Sequence, residues 1–189
     1  MRRWNVKRVA VGALLVTAFS AVGVFIASCV GDGGTETFGC PSQAVFTGVS
    51  PDGGTPSGAS VSEYMARRCG TLDCHGSELR SMRLYGQYGL REPAESNVSG
   101  GKVTTLAELK ANYGSVCTVE PEKTSEAVDD EGQSAERLLV VLKARGEEGH
   151  KGGAVVKQGS PGDNCIAGWL RGDPSAEVAA ACQAAINGL

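Results

Sequence analysis

The N-terminal 28 residues constrain the fold most, because they decide the redox environment in which the rest of the chain folds. Residues 1–8 carry four basic side chains and no acid, and residues 9–26 are a run of apolar and small residues. This order is typical of an export signal that is removed after translocation. A run of this length is also nearly sufficient for an uncleaved membrane anchor. Both alternatives place Cys40 and everything after it outside the cytoplasm, where cysteines form disulfides.

Residues 26–29, Ile-Ala-Ser-Cys, resemble the end of a bacterial lipoprotein signal. The resemblance implies that residues 1–28 are removed and that Cys29 is acylated and becomes the first residue. Val30, rather than an aspartate, follows Cys29, and by the same resemblance this favours passage to the outer membrane. We therefore expect a chain held on the lipid bilayer of the cell envelope, facing the periplasm or the cell surface.

The composition of the chain after the signal limits which partners it can bind and which side chains can form its core. The signal holds four of the 18 basic residues and no acid, so the rest carries 14 basic and 21 acidic residues, a net charge of −7. This charge disfavours binding to nucleic acid. Residues 29–60 are rich in Gly, Pro, Ser and Thr, which predicts a flexible tether. The folded domain is then expected at 61–189, with a core of aliphatic side chains because aromatic residues are only 5% of the chain.

Helical periodicity runs through this domain and predicts an all-α fold with long loops at 76–103 and 146–162. Capping boxes begin at Ser60 and Thr105, and glycines such as Gly114 are expected to end helices. The dipeptide Asp173-Pro174 is expected to start the last helix. The predicted helices cover residues 61–69, 105–113, 134–145, 164–171 and about 174–186.

Lipidation of Cys29 would leave six cysteines, for which 15 pairings exist. Cys165 and Cys182 lie on the apolar faces of the last two predicted helices, which a tight turn makes antiparallel neighbours. We therefore predict a disulfide between them, which would stabilise the fold by about 2–4 kcal/mol. Elimination would pair Cys40 with Cys117, but no local pattern supports that bond.

The segment Cys69-Gly70-Thr71-Leu72-Asp73-Cys74-His75-Gly76 carries the clearest chemical motif. In c-type haem attachment, two cysteines form thioethers to the haem and the histidine after the second cysteine binds the iron. The spacer between the cysteines is usually two residues, whereas here it is four. The other histidine, His150, lies between an apolar helix and a Trp169-Leu170-Arg171-Gly172 segment.

In this order, residues 61–172 resemble single-haem cytochrome c domains of bacterial surface and exported proteins. The resemblance implies a small cytochrome c-like helical fold with haem c attached at Cys69 and Cys74, His75 as proximal iron ligand and His150 as distal ligand. It also implies single-electron transfer to a redox protein partner. The cysteine spacing and a lysine inserted after His150 depart from the family pattern. The sequence holds no nucleophile elbow, phosphate loop or catalytically spaced carboxylates, so we expect no catalytic residues and no enzyme activity.

Two other interpretations of this motif remain open. Cys69 and Cys74 could close a small loop as a disulfide in a haemless lipoprotein with a structural or binding role, and the low aromatic content agrees with this. A Cys₂His₂ zinc site would need thiolates, which an oxidising compartment disfavours, and adjacent Cys74 and His75 would crowd one metal. Met82 follows His75 by only seven residues, too close to reach the opposite face of a haem easily.

Overall fold

The computed structural model describes residues 39–50, 59–92 and 102–189, and every regular element within them is helical. The α-helices are α1 (Gln43–Thr47), α2 (Val61–Arg68), α3 (Leu106–Cys117), α4 (Pro121–Asp129), α5 (Leu139–Arg145), α6 (Pro161–Arg171) and α7 (Ser175–Asn187), with a 3₁₀ helix at Ala135–Arg137. The described residues contain no strand, and the Tyr85–Leu90 bridge is isolated. The predicted all-α class is confirmed.

The predicted export signal and the acylated Cys29 lie outside the described residues. Of the helices that are described, none combines the length and the apolar character needed to cross a membrane.

Local capping residues set the starts of α2, α3 and α6, and the sequence predicts the first two of these starts. Thr105 and Glu108 form the complete reciprocal capping box at α3. At α2 only half of the predicted box forms: the Ser60 hydroxyl accepts the Glu63 amide at 3.1 Å, but the Glu63 carboxylate binds Arg67 at 2.7 Å. The α6 helix begins at Pro161, three residues before the predicted start, because the Ser160 side chain caps it.

Gly114 does not end α3, which was a wrong prediction. The helix continues to Cys117, because Val116 is buried and Cys117 forms a disulfide with Cys40. A glycine inside a helix costs only about 1 kcal/mol. These tertiary contacts therefore outweigh the local preference.

The helix predicted over residues 134–145 is divided in two. Leu138 adopts an extended conformation between the 3₁₀ helix and α5, and its side chain is buried. The Leu139 amide donates to the Glu120 carboxylate at 2.5 Å, so an acid remote in sequence caps α5. Glu120 also precedes α4, a helix that is not among those predicted from the sequence.

The last helix begins one residue later than predicted. Pro174 occupies the N-cap position of α7 without a side-chain hydrogen bond. Asp173, the predicted cap, instead accepts from the Arg171 guanidinium at 2.7 Å. The Asp173 carboxylate therefore pairs with the charged Arg171 side chain instead of capping α7.

Residues 39–50 belong to the folded core rather than to the predicted tether. The Phe46 ring is fully buried, with its centroid 4.7 Å from that of Trp169 and 5.7 Å from that of Tyr113. The Trp169 indole N–H donates to the Ser42 carbonyl at 3.0 Å. Composition mispredicted this segment because one buried aromatic ring and one disulfide, at Cys40, order it despite its glycines and serines.

The predicted disulfide between Cys165 and Cys182 is present in the structure. It joins α6 to α7 with the two Cα atoms 4.7 Å apart, and both cysteines are fully buried. Together with Trp169 and Val178, these cysteines place the pair α6 and α7 at the centre of the core. Ile166, which also belongs to α6, lines the site described next.

Candidate functional site

The loop of residues 69–76 begins where α2 ends and folds back on itself. Cys69 caps α2, and its carbonyl accepts the His75 amide at 2.9 Å. The Thr71 carbonyl accepts the amides of Cys74 and Gly76 at 2.9 and 3.0 Å. These bonds close the four-residue spacer as a turn, so both cysteines and the histidine share one compact loop.

Close packing of three glycines holds this loop against the chain that follows. A Cβ on Gly76 would lie 2.0 Å from the Gly70 carbonyl oxygen, and a Cβ on Gly89 would lie 1.8 Å from the same oxygen. No side chain fits at either position without moving the backbone. The glycine directly after His75 is therefore required for the approach of the two segments.

Buried polar side chains fix the second segment, residues 82–92, against α3. Asn112 is fully buried, and its side chain accepts the Tyr85 amide at 2.6 Å and donates to the Tyr85 carbonyl at 2.8 Å. The Leu84 amide donates to the His75 carbonyl at 2.8 Å, and the Leu84 side chain is fully buried. This segment therefore holds His75 in a fixed position relative to α3.

A buried ion pair anchors the end of the same segment. Arg91 and Glu108 meet in two bonds, Nε to Oε1 at 2.6 Å and Nη2 to Oε2 at 3.0 Å, and both side chains are almost wholly inaccessible to solvent. Arg91 also donates to the carbonyls of Lys102 and Val103, and Glu108 also accepts backbone amides, including that of Thr105. Burial raises the pKa of Glu108, but the hydrogen bonds from Arg91 and the amides outweigh it and hold this pKa below its ordinary value.

His75 is held with one ring nitrogen bound to the backbone. Its Nδ1 lies 2.9 Å from the Met82 carbonyl oxygen. A carbonyl only accepts, so Nδ1 carries the proton in the neutral ring and Nε2 keeps its lone pair. Burial lowers the pKa of His75, the Met82 bond opposes this, and the nearby His150 and Arg80 lower it further. The neutral, metal-binding form is favoured.

His150 repeats this arrangement from the other side. Its Nδ1 lies 3.0 Å from the Gly153 carbonyl oxygen, which leaves Nε2 as the unprotonated nitrogen. The two imidazole rings are nearly parallel, with 17° between their planes, and their centroids are 6.0 Å apart. Within the described residues, neither Nε2 has a hydrogen-bond partner.

The two histidines are shared by two adjoining clefts. The larger, about 350 Å³, also holds Cys69 and is walled largely by apolar side chains. These include Met65, Met82, Val140, Ala144, Val155 and Ile166. The smaller cleft, about 270 Å³, holds Cys74 with Asp73, Arg80 and Lys151.

The α5 wall of the larger cleft is fixed to α6 by a second buried ion pair. The Arg145 Nε and Nη2 atoms donate to the two Asp163 carboxylate oxygens at 2.7 and 2.9 Å, and both side chains are buried. This bidentate contact fixes α5 against α6 near Ala144 and Ile166, which both line the cleft.

Cys69 and Cys74 are free thiols, whereas the other four cysteines that the structure describes form disulfides. Burial raises the pKa of Cys69 to about 12, so its sulfur is a neutral thiol. Across the described parts of the chain, no group of three or more His, Cys, Asp or Glu side chains is arranged to hold a metal ion. Two histidines beside an apolar cleft instead suit a metal that brings its other ligands with it, as in a porphyrin.

All four predicted site residues, Cys69, Cys74, His75 and His150, therefore come together around these clefts. The sequence analysis missed Arg91, which fixes the loop after the motif; Glu108 was recognised only as part of a capping box. A pair separated by 17 positions, outside any one helix, leaves no periodic signal. Comparison of the chain with protein-family models, with curated proteins and with solved structures finds no match.

Proposed function

We propose that this domain binds a c-type haem between His75 and His150, attached to Cys69 and Cys74, and transfers single electrons. The observation that carries the proposal is the pair of nearly parallel imidazole rings, 6.0 Å apart, beside an apolar cleft. The iron would supply the one-electron chemistry when bound.

The distance between the two ring centroids fits a pair of imidazoles that would hold one metal between them. A metal–nitrogen bond of about 2 Å, with about 1 Å more from the nitrogen to the ring centre, separates two such centroids by about 6 Å. Both rings are oriented by backbone carbonyls at Nδ1, an arrangement that typically fixes the tautomer of a metal-bound histidine.

The two free thiols support covalent attachment. Each thiol would add its S–H across one haem vinyl group, so that sulfur bonds to one vinyl carbon and the hydrogen goes to the other, with no net oxidation. This addition needs reduced cysteines, and Cys69 and Cys74 are unpaired. Cys69 lines the larger cleft and Cys74 the smaller one, and His75 lines both.

The protein would set the reduction potential of the haem through the residues that bind the iron and through the side chains that line the larger cleft. Two histidine ligands give a lower potential than a His/Met pair, because a thioether ligand raises the potential. The apolar side chains of Val140, Ala144 and Ile166 line the larger cleft and would lower the polarity around the iron. Acylation of Cys29 would hold the domain on the envelope membrane, where a redox protein partner could reach it.

Haem staining of a denaturing gel tests the attachment. The full chain is produced with a cytochrome c maturation system in an export-competent host, and we expect a stained band that survives denaturation. Cys74→Ala should weaken the stain, whereas a Cys165→Ala/Cys182→Ala control should keep it. An unstained wild-type band would overturn the proposal and favour a haemless, disulfide-stabilised lipoprotein.

Intact-mass analysis of the membrane fraction tests the anchor separately. We expect a chain that begins at an acylated Cys29. A mass that corresponds to an unmodified chain beginning at Met1 would contradict lipidation without affecting the haem proposal.

A further inference from the structure

His75 and His150 are held by very different contacts. The His75 amide and carbonyl bond to Cys69 and Leu84, and its ring bonds to Met82. These partners belong to two segments, and the Leu84 side chain is fully buried. His75 therefore cannot leave its position unless both segments open.

His150 lies in an exposed loop, residues 146–154, which we call the His150 loop. All residues of this loop except His150 are exposed. The ring and the carbonyl of His150 both bond to Gly153, at 3.0 and 2.9 Å, so these contacts stay within its own turn. The contact that ties this turn to a helix is the Lys143 ammonium, which donates to the Gly149 carbonyl at 2.8 Å.

Backbone hydrogen bonds fix both ends of the His150 loop to α5, whereas its centre, residues 149–153, has open space around it. The Ala144 carbonyl accepts the amides of Val155 and Val156 at 2.8 and 3.0 Å. The Leu142 carbonyl accepts the amides of residues 147 and 148 at 2.9 and 3.3 Å. Between these anchors, a Cβ on Gly149 or Gly153 would meet no atom within 4 Å. Residues 149–153 can therefore swing outward without disturbing α5 or α6.

We infer that the His150 side of the iron is a binding site for a small uncharged diatomic ligand, gated by the His150 loop. The inference rests on the proposed haem. Lys143 is the positioning residue that keeps the loop closed. Once His150 leaves, the space it vacates in the larger cleft is bordered by Val140, Val155 and Ile166. These apolar walls suit an uncharged ligand, and the cations Arg80 and Lys151 line the smaller cleft instead.

Carbon monoxide binding to the reduced, haem-loaded full chain tests the gate. If His150 must leave first, the observed rate saturates at its dissociation rate as the CO concentration rises. His150→Ala should abolish saturation. Lys143→Met should raise the plateau about fivefold, the effect of one net hydrogen bond. Lys157→Met, which removes the same charge from an exposed residue outside both clefts, should leave the plateau unchanged. Absence of CO binding, or equal plateaus for the two lysine variants, would overturn the inference.

Hydrogen exchange on the haem-free full chain separates this inference from the proposed function. The Gly153 and Leu84 amides both donate to backbone carbonyls, of His150 and His75 respectively. We expect Gly153 to exchange at least about tenfold faster, and Lys143→Met to accelerate Gly153 alone. Equal protection of the two amides would overturn the gate even if haem is attached. A haem stain without CO binding contradicts only the gate, whereas an unstained band contradicts the proposed function.

Discussion

The two cysteines of the α6–α7 pair and the two cysteines of the loop after α2 are used in opposite ways. Cys165 and Cys182 lie on facing helix surfaces, fully buried, and form a crosslink. Cys69 and Cys74 are much closer in sequence, yet they remain free thiols in two different clefts. Backbone hydrogen bonds and glycine packing, rather than a crosslink, stabilise the second region. The chain thus crosslinks its core and leaves thiols beside the histidines available for chemistry.

The largest effect is expected from removing the disulfide that closes the longer loop of the two, Cys40–Cys117. Cys40→Ala/Cys117→Ala frees a loop with a sequence separation of 77. We expect the free energy of unfolding to fall by about 4–5 kcal/mol, because the unfolded chain gains conformational freedom. Urea denaturation measures this loss, and a change below about 1 kcal/mol would show that α1 is held by its aromatic contacts alone.

Breaking the buried ion pair between Arg91 and Glu108 should lower the free energy of unfolding nearly as much. Glu108→Gln leaves the Arg91 charge buried without its partner, and we expect a loss of about 3–5 kcal/mol. Glu63→Gln is the matched control, because its partner Arg67 is partly exposed, and it should cost less than about 1 kcal/mol. Equal effects in the urea midpoints of both variants would contradict the structural role of the buried pair.

The same carboxylate predicts a dependence on pH. The pKa of Glu108 is lowered on folding from its ordinary value of 4.5. Its stabilisation is therefore complete above about pH 4.5 and is lost as the pH falls through the lower pKa of the folded state. The wild-type free energy of unfolding should fall more steeply below pH 4.5 than that of Glu108→Gln. Parallel acid titrations, followed by circular dichroism, would contradict this.

Removal of the helix-pair crosslink should have a smaller effect. Cys165→Ala/Cys182→Ala opens a loop with a sequence separation of 17, for which the loss is about 3 kcal/mol. The loss should appear in the unfolding midpoint while the His75 side of the molecule keeps its spectroscopic properties. A variant that lost haem binding together with stability would show that the two regions are coupled.

The smallest effect on stability is expected from removing the two free thiols of the loop at residues 69–76. Cys69→Ala/Cys74→Ala should change the free energy of unfolding of the haem-free chain by less than about 1 kcal/mol, since no crosslink is lost. Alkylation of the acid-quenched, denatured but unreduced wild-type chain, produced without haem, should add two groups, one at each free thiol. No added groups would mean that Cys69 and Cys74 form a disulfide, and the contrast between the two regions would disappear.

The sequence by itself determined the features that depend on short spacing. The start of α3, the ends of α5 at Arg145 and of α6 at Arg171, and the pairing of Cys165 with Cys182 follow from capping and helical periodicity. The cysteine and histidine motif at residues 69–76 is equally local, so its candidate chemistry could be stated without a structure.

Tertiary structure decided what depends on residues far apart in the chain. It placed His150 beside His75, although 75 positions separate them, and it joined Cys40 to Cys117. It also ordered α1 within a segment whose composition predicts a tether. The physical reason is the same in each case. Contacts between distant residues become favourable only after the chain between them is ordered, and no local pattern records that outcome.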